Sequence, residues 1–543
     1  MSNAILEQYA STSDTQEQRL IRRNIRFRKD DPRVAFVSPQ VIGAKNQLRK
    51  CTPPLGIASL AAVLEARGFR NILAVDAAAD DYNNVRALPN SPNFIIYGLP
   101  DEGVVDKLRK FQPDVVAIST LFSSQVECAY NVAYAIREAF PDVLIVMGGN
   151  HASYRAVEIL KTQEAIDFVL CGEADLTFAE FLEKYFSGQD FRDVAGLVQR
   201  EGSNIIQNSL PALIHDLDVL PDPAYHLFDM ERYFEIDMFH NPFTKSGRVG
   251  VIMTSRGCPQ ECYFCTSFEF HGRAFRRFSS ARTVRLVHHL VEEYRIEELQ
   301  ILDDTLTSLW ARVVEICEGI KPLNLRVTLP NSIRADLPKN RENRLKMFKA
   351  MRAAGVEQFG IGVEHGDQDF LDKVIHKRLE LDEVRATIDM AHEAEILVHS
   401  AFIMGFPHET AKNREKTIEF AKSLDSDSFS VSFASPLPGT PMWNIVEQDN
   451  LFVPGFDLGR VVFTLPSIIP ADISPDELYA LIERLNRELN EQAQRKRPEA
   501  AKAKLKMFKE KNKTASGDRK FQFAPEIESL NYVPLPHLEK EYG

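Results

Sequence analysis

The segment TSRGCPQECYFCTS, residues 254–267, begins at the end of the apolar run VGVIMTS (249–255). Its three cysteines, Cys258, Cys262 and Cys265, are spaced C-x3-C-x2-C. Thiolates are the ligands of iron–sulfur clusters, and close spacing in a loop lets several of them converge on one centre. Three cysteines leave one iron of a four-iron cluster without a protein ligand, so the spacing indicates a cluster with one open coordination position.

The same cysteines also allow a zinc site. Structural zinc takes four protein ligands, and His271 could be the fourth beside the three thiols. The motifs that follow along the chain favour the iron–sulfur interpretation over zinc.

Strand-like and helix-like segments alternate downstream of the cysteines. The predicted strands are 249–255, 299–304, 325–332, 358–364, 398–405 and 428–436, with helices at 280–296, 309–319, 341–354, 367–375, 381–394 and 411–424. Six consecutive βα steps indicate a barrel or partial barrel, in which the chemistry lies at the carboxyl ends of the strands.

A second α/β pattern lies upstream of the cysteines. Its predicted strands are 34–38, 72–77, 114–120, 143–149 and 167–175, with helices at 55–69, 125–139 and 176–186. Buried apolar strands that alternate with amphipathic helices favour a doubly wound, Rossmann-like parallel sheet.

The α/β chain is therefore expected to combine this doubly wound domain with a partial (β/α)6 TIM-like barrel and a mostly helical C-terminal region that includes a charged helix at 475–512. The predicted boundaries are a polar arm at 1–32, the Rossmann-like domain at 33–195, a connector at 196–247, the barrel at 248–445 and the C-terminal region at 446–543.

The composition limits the classes of function. The 543 residues carry a formal net charge of −12, which argues against a general nucleic-acid binder because such a protein carries a basic patch. No stretch approaches the roughly 18 uninterrupted apolar residues of a membrane span, and the polar start lacks the apolar core of a signal peptide. Seven cysteines, widely spaced outside one cluster, do not suit a disulfide framework. We therefore expect a cytoplasmic protein.

Three cysteines after the first strand of a βα barrel, with Phe264 just before the last of them, resemble the radical S-adenosylmethionine (SAM) enzymes. The resemblance implies that Cys258, Cys262 and Cys265 hold a [4Fe–4S] cluster whose open iron is chelated by SAM. One-electron reduction would then split SAM into methionine and a 5'-deoxyadenosyl radical. The backbone near Phe264 would contact the adenine.

Four downstream segments at strand ends resemble the SAM-binding motifs of these enzymes: LDDTLT (302–307), NSIRAD (331–336), GVEHG (362–366) and MGFPHET (404–410). The resemblance implies that Asp303 and Asp304 hold the SAM amino group, Arg334 faces the carboxylate or the cluster, Glu364 binds the ribose hydroxyls, and Gly405 and Glu409 lie near the adenine.

Each of these residues also has a structural interpretation. The acidic pair could complement a helix dipole, Arg334 could form a surface ion pair, and Gly405 could only allow a turn. Their joint occurrence, in order and at strand ends, favours the functional interpretation.

A doubly wound sheet ahead of such a barrel resembles the cobalamin-binding domain of cobalamin-dependent radical SAM enzymes, and the resemblance covers about residues 33–440. It implies cobalamin contacts at Ser119 and Leu121 in ISTLFSS and at Gly148 and Gly149 in MGGNHAS. A generic nucleotide-binding sheet is the alternative, but the dinucleotide motif G-x-G-x-x-G is absent from the sequence.

The cobalamin fingerprint Asp-x-His-x-x-Gly of that family is only partly present. The matching stretch is residues 38–43, in which Gln40 stands where the cobalt-ligating histidine would be. Because an amide is a poor cobalt ligand, we expect no side chain, or only a weak one, on the lower face of the corrin. His151 is a less favoured candidate ligand.

The combined resemblance implies a methyltransferase that acts on an unactivated carbon, or on phosphorus, of a small natural-product intermediate such as those of antibiotic biosynthesis. The cofactors would be the cluster, SAM and methylcobalamin, with no catalytic side chain assigned beyond them. A one-electron reductant such as flavodoxin or ferredoxin is the implied partner. Two alternatives stay open: a related enzyme that cyclises or rearranges its substrate without methyl transfer, and a non-catalytic zinc- or corrinoid-binding protein.

Overall fold

The computed structural model describes residues 31–45, 47–88, 91–242 and 244–498. The predicted arm at 1–32, apart from its last two residues, and the part of the predicted C-terminal region beyond 498 lie outside the described residues. The strands are β1 Val34–Ser38, β2 Val41–Ala44, β3 Ile72–Asp76, β4 Val85–Ala87, β5 Phe94–Tyr97, β6 Val115–Ser119, β7 Leu144–Gly148, β8 Phe168–Leu170, β9 Leu197–Glu201, β10 Asn204–Gln207, β11 Val249–Ile252, β12 Ser255–Arg256, β13 Arg276–Arg277, β14 Glu298–Ile301, β15 Arg326–Ile333, β16 Val356–Glu364, β17 Leu397–Met404 and β18 Ser428–Phe433.

The longer helices connect these strands or cover the two large sheets. They are Leu55–Ala66, Asp101–Phe111, Val126–Ala139, Asn150–Thr162, Thr177–Ser187, Ser280–Tyr294, Trp310–Ile320, Arg341–Ala353, Leu381–Glu393, Ala411–Ser423, Pro441–Gln448 and Pro475–Lys496. Among the described residues, no helix is both long enough and apolar enough to cross a membrane.

The front sheet has the strand order β10-β9-β8-β7-β6-β1-β3. Its five strands β3, β1, β6, β7 and β8 are parallel, as predicted for a doubly wound sheet. The chain order reverses between β1 and β6, and the crevice outside the carboxyl ends of such neighbouring strands is where doubly wound sheets bind ligands. The sheet also takes up the antiparallel strands β9 and β10, so it continues past the predicted boundary at residue 195.

Both faces of the front sheet are covered. Along β1, Val34 and Phe36 pack into one apolar core, whereas Ala35 and Val37 pack into the core on the opposite face. Strands buried on both faces read as continuous apolar runs, which is why the sequence predicts them well.

The second sheet has the order β11-β14-β15-β16-β17-β18, and every neighbouring pair is parallel. Strand order therefore follows chain order, as in a βα barrel. In the described residues β18 pairs with β17 alone and β11 with β14 alone, so the barrel is partial, as predicted.

The helix Pro475–Lys496 covers the open edge of β18 with two asparagines. Asn486 accepts a hydrogen bond from the Val431 amide (2.7 Å) and donates to the Val431 carbonyl (2.9 Å), and Asn490 does the same with Phe429 at 3.0 Å each. Two asparagines that are four residues apart on the helix thus pair with two strand residues that are two residues apart. These amides satisfy the backbone groups that an edge strand leaves unpaired. The helix ends at Lys496, before the predicted residue 512.

We expect Asn486→Ala to destabilise the barrel, because it leaves the amide and the carbonyl of Val431 without their partners. The expected loss is about 1–3 kcal/mol, which lowers the Tm of the barrel transition by about 2–4 °C per kcal/mol in a domain of this size. Differential scanning calorimetry measures the shift. Glu483→Ala, an exposed change on the same helix, is the control, and an equal Tm for the two variants would contradict the edge-covering role of Asn486.

Candidate functional site

The cysteine loop leaves the barrel between the short strands β12 and β13, where Arg256 pairs with Arg276. Gly257 follows β12 with φ +89°, and a Cβ atom there would lie 2.2 Å from the Ala274 carbonyl oxygen. Only glycine can make this turn. The loop therefore begins from a fixed base at the carboxyl end of β11.

The three cysteines share this loop. The Cys265 amide donates to the Cys262 carbonyl at 2.9 Å, and all three residues are free thiols with Cys262 buried. Burial raises the pKa of each thiol, that of Cys265 to about 12. No three His, Cys, Asp or Glu side chains of the described residues already form a ligand cage. The fit to a [4Fe–4S] cluster therefore rests on the donor set, since binding an iron centre deprotonates its thiols.

The two predicted acidic residues have different surroundings. Asp303 is buried and accepts hydrogen bonds from the Thr254 amide, the Thr254 hydroxyl and the Ser255 hydroxyl, each at 2.5 Å. Burial raises its pKa, against these hydrogen bonds. Asp303 thus holds the β11 end in place and differs from its prediction. Asp304 is partly exposed and accepts from the Ser267 hydroxyl at 2.5 Å, so it remains a candidate for the SAM amino group.

Arg334 lies beside the cysteine loop, where its charge acts to lower the pKa of Cys258 and of Cys262. Its guanidinium donates to the carbonyl oxygens of Lys377 (2.7 Å) and Arg378 and contacts Asp336 (3.1 Å). The side chain is 8% exposed. It is therefore committed to holding the backbone at 377–378, and little of its donor capacity is left for a ligand.

A second cation, Lys377, lies beside the cysteine loop. Its Nζ is 2.7 Å from Glu364 Oε1, and both side chains keep about an eighth of their surface exposed, at 12% and 14%. A Cβ on Gly362 would lie 2.6 Å from that carboxylate oxygen and 3.1 Å from Nζ. Burial alone would lower the pKa of Lys377, but Glu364 and the nearby Cys262 raise it, so the group is a cation.

The backbone around this pair is strained. Glu364, His376 and Arg378 have φ values of +68°, +60° and +53°, and Leu371–Ile375 forms a π-helix where an α-helix was predicted. Residues held in the left-handed region cost energy and cluster at functional sites. The Tyr263 amide, next to Cys262, donates to the Ile375 carbonyl at 3.1 Å. We name this segment, Leu371–Arg378, the lysine hook.

The predicted adenine motif is built around Glu409. This buried carboxylate accepts from the Gly405 amide at 2.6 Å and lies 3.1 Å from His365 Nε2. Because His365 Nδ1 accepts from the Asp367 amide, Nε2 carries the proton. Gly405 has φ +82°, and Glu409 is 0% exposed and shapes the loop from inside. The ring centroids of Phe264 and Phe406 lie 5.9 Å apart.

In the front domain, Gln40 lies at the carboxyl end of β1 but is turned inward. Its side chain is 4% exposed and donates to the Gly98 carbonyl at 2.8 Å. It is therefore not presented to a ligand. His151 is also buried, lies 2.9 Å from the Ser123 hydroxyl, and has its pKa lowered to about 4 by burial.

The other predicted contacts lie at the carboxyl ends of β6 and β7, next to the point where the chain order reverses. Ser119 ends β6 opposite Gly148, and a Cβ on Gly149 would lie 2.5 Å from the Thr120 carbonyl oxygen. Leu121 and Phe122 follow directly and are 49% and 57% exposed. Two adjacent large apolar side chains in solvent at a ligand-binding edge fit the apolar face of a corrin ring.

Known proteins match the chain over the same two regions. The family described as "B12 binding domain" matches residues 43–182, and the family described as "Radical SAM superfamily" matches residues 252–421. A "Cytidylyl-2-hydroxyethylphosphonate methyltransferase" of Streptomyces wedmorensis is 29% identical over 486 residues, 84% of this chain and 90% of the relative. An uncharacterised methyltransferase of Pyrococcus horikoshii is 31% identical over 404 residues, 74% of this chain and 80% of the relative.

A solved structure agrees in fold. The cobalamin-dependent SAM radical enzyme OxsB, with aqua-cobalamin and SAM bound, superposes with a TM-score of 0.66 at 17% identity and covers 92% of this chain and 71% of its own. The order of the two domains is thus found in a protein of known structure.

Proposed function

The chain belongs to the cobalamin-dependent radical SAM methyltransferases, which use a [4Fe–4S] cluster, SAM and cobalamin, and we propose that it methylates an unactivated carbon of a small natural-product intermediate. The observation that carries this proposal is the match along 90% of a phosphonate-pathway methyltransferase. That relative acts on cytidylyl-2-hydroxyethylphosphonate, which makes this nucleotidylated phosphonate the first substrate to test. A one-electron donor such as flavodoxin or ferredoxin completes the system, and the cytoplasm keeps the thiols reduced.

When bound, the cluster with SAM supplies hydrogen-atom abstraction, and cobalamin supplies the methyl group. The chain's part is to hold and orient the reactants and to exclude water. Cys258, Cys262 and Cys265 would hold the cluster, and Leu121 with Phe122 would offer an apolar surface to the corrin.

Lys377 is the cation suited to the carboxylate of SAM, since Arg334 is committed to its own backbone contacts. Asp304 would receive the amino group. The amino and carboxylate groups on the α-carbon of SAM would thus each have a side chain of opposite charge near Cys258.

Polar side chains lie next to one another on two neighbouring strands of the barrel. His399 on β17 lies 2.9 Å from the hydroxyls of both Ser428 and Ser430 on β18, and all three residues are partly exposed. The intervening positions, such as Val398 and Phe429, are buried against the helices. Small, hydrogen-bonding side chains at the open positions suit a hydroxylated molecule.

The product ratio tests the reaction. Anaerobically reconstituted protein is given SAM, a one-electron reductant, hydroxocobalamin and cytidylyl-2-hydroxyethylphosphonate, and products are quantified by mass spectrometry. Methyl transfer should give S-adenosylhomocysteine and 5'-deoxyadenosine in about equal amounts together with a methylated product, because one SAM supplies the methyl group and another the radical. Substrate-dependent 5'-deoxyadenosine without matching S-adenosylhomocysteine would indicate cyclisation or rearrangement instead. The same mixture without cobalamin is the control.

A further inference from the structure

Two buried carboxylates of the front domain hold the base of the cysteine loop. Asp175 contacts both terminal nitrogens of Arg256, at 2.7 and 3.0 Å, and Glu173 contacts both of Arg276, at 2.8 and 2.5 Å. His271 Nδ1 lies 2.7 Å from Glu173, so this histidine also belongs to the contacts at the base of the loop. Paired two-point contacts between arginine and carboxylate are among the strongest and most directional of polar interactions.

The two arginines lie at the two ends of the loop. Arg256 is two residues before Cys258, and Arg276 pairs with Arg256 in the β12–β13 ribbon. Both carboxylates come from CGEAD, residues 171–175, directly after β8. The position of the cysteine loop is therefore set by the front domain as well as by its own barrel.

Further hydrogen bonds connect CGEAD with Gly149, which lies at the edge of the front sheet where cobalamin is predicted to bind. The Ser153 hydroxyl accepts from the Gly172 amide at 3.0 Å and donates to the Gly149 carbonyl at 2.9 Å. An unbroken path of hydrogen bonds and short peptide segments thus joins Gly149, Ser153, Glu173 and Arg276. This path gives a displacement of the Gly149 loop a direct route to the base of the cysteine loop.

Glu173 is ionised in this network. Burial alone would raise its pKa, but hydrogen bonds from Arg276 and His271 and the charge of Arg256 lower it to about 2. Because buried charges without a partner are costly, the two arginines favour only arrangements in which both carboxylates remain in place.

We propose that Glu173 and Asp175 are positioning residues that couple the two cofactor sites, so that cobalamin at the Gly149 edge and the cluster on the cysteine loop each strengthen binding of the other. This inference rests on the proposed binding of cobalamin at that edge. The coupling is reciprocal, as any linkage between two binding equilibria must be.

Hydroxocobalamin titration of the full chain, with and without reconstituted cluster, tests the coupling. In the wild type the Kd should be about tenfold lower when the cluster is present, within the usual range of such couplings. In Glu173→Gln the two Kd values should agree within about twofold, and the electron paramagnetic resonance spectrum of the reduced cluster should no longer respond to cobalamin.

Two further variants separate this role from a general loss of folding. Ser153→Ala breaks the path without exposing either arginine, so it should reduce the Kd ratio while Tm and iron content stay near the wild type. Glu183→Gln alters the exposed Arg67–Glu183 pair and should keep the full ratio. Equal Kd values in the wild type with and without cluster, or an unchanged ratio in both Glu173→Gln and Ser153→Ala, would overturn the coupling alone. Failure of the wild type to bind any cobalamin would overturn the proposed function as well.

Discussion

Replacement of Cys258, Cys262 and Cys265 together by alanine will remove about four irons per chain and abolish SAM cleavage. The reason is that the cysteine loop offers its three thiols as the ligand set at the carboxyl end of the barrel. Cobalamin, which binds to the other domain, should remain at about one cobalt per chain when hydroxocobalamin is saturating. Elemental analysis of iron, cobalt and zinc in anaerobically reconstituted protein measures all three expectations.

A matched control removes cysteines that the structure places elsewhere. Cys128 and Cys317 are buried in apolar surroundings, at 2% and 6% exposed, and burial raises the pKa of the Cys317 thiol to about 12. The double variant Cys128→Ala/Cys317→Ala should retain its iron. Zinc in place of iron in the wild type, or full iron in the triple variant, would refute the cluster assignment.

The two sheets could be predicted from the sequence because their strands are apolar runs with clear ends. The predicted strand 398–405 is observed as Leu397–Met404, and 143–149 as Leu144–Gly148. The strands β9 and β10 were not predicted, since LVQRE and NIIQ are short and half polar. They join the sheet at its antiparallel edge, where one-sided burial gives little apolar signal.

The cofactor classes could likewise be predicted, because the cysteine spacing and the order of motifs are local features of the sequence. The roles of individual residues were harder to predict, because they depend on where each side chain turns. Asp303 and Asp304 are neighbours in sequence, yet one is buried against Thr254 and the other faces the cysteine loop. No pattern of composition separates them.

Contacts between residues that are far apart in the chain could not be predicted from motifs or periodicity. Glu173 and Arg276 form an ion pair although they are 103 positions apart in the chain. Neither residue lies in a motif from which its partner could be identified. Lys377 was missed for a different reason. Its place depends on a π-helix and on left-handed backbone at His376 and Arg378. The sequence shows only a predicted helix at 367–375 that is followed by His376, Lys377 and Arg378.

Lys377→Met should therefore have the second large effect on function. Both Lys377 and Arg334 act on the pKa of Cys262, Lys377 more strongly, and Arg334 is also occupied by the carbonyls of Lys377 and Arg378. A charge-assisted contact to a carboxylate in a partly buried site is worth about 2–4 kcal/mol, so SAM affinity should fall about 30- to 1,000-fold. Titration of the reconstituted protein with SAM, followed by the spectrum of the cluster, gives the Kd.

The Lys377→Met change also leaves Glu364 without its partner, and this effect has to be separated from the loss of the cation. In the double variant Glu364→Gln/Lys377→Met neither charge remains, so folding should recover while the weak binding of SAM persists. Lys377→Arg restores the charge and should recover part of the affinity. Lys373→Met, on the exposed side of the lysine hook where Lys373 pairs with Asp369, should bind SAM within about twofold of the wild type. If the double variant bound SAM as tightly as the wild type, Lys377 would be a partner of Glu364 alone, and the carboxylate of SAM would have to be held by another group.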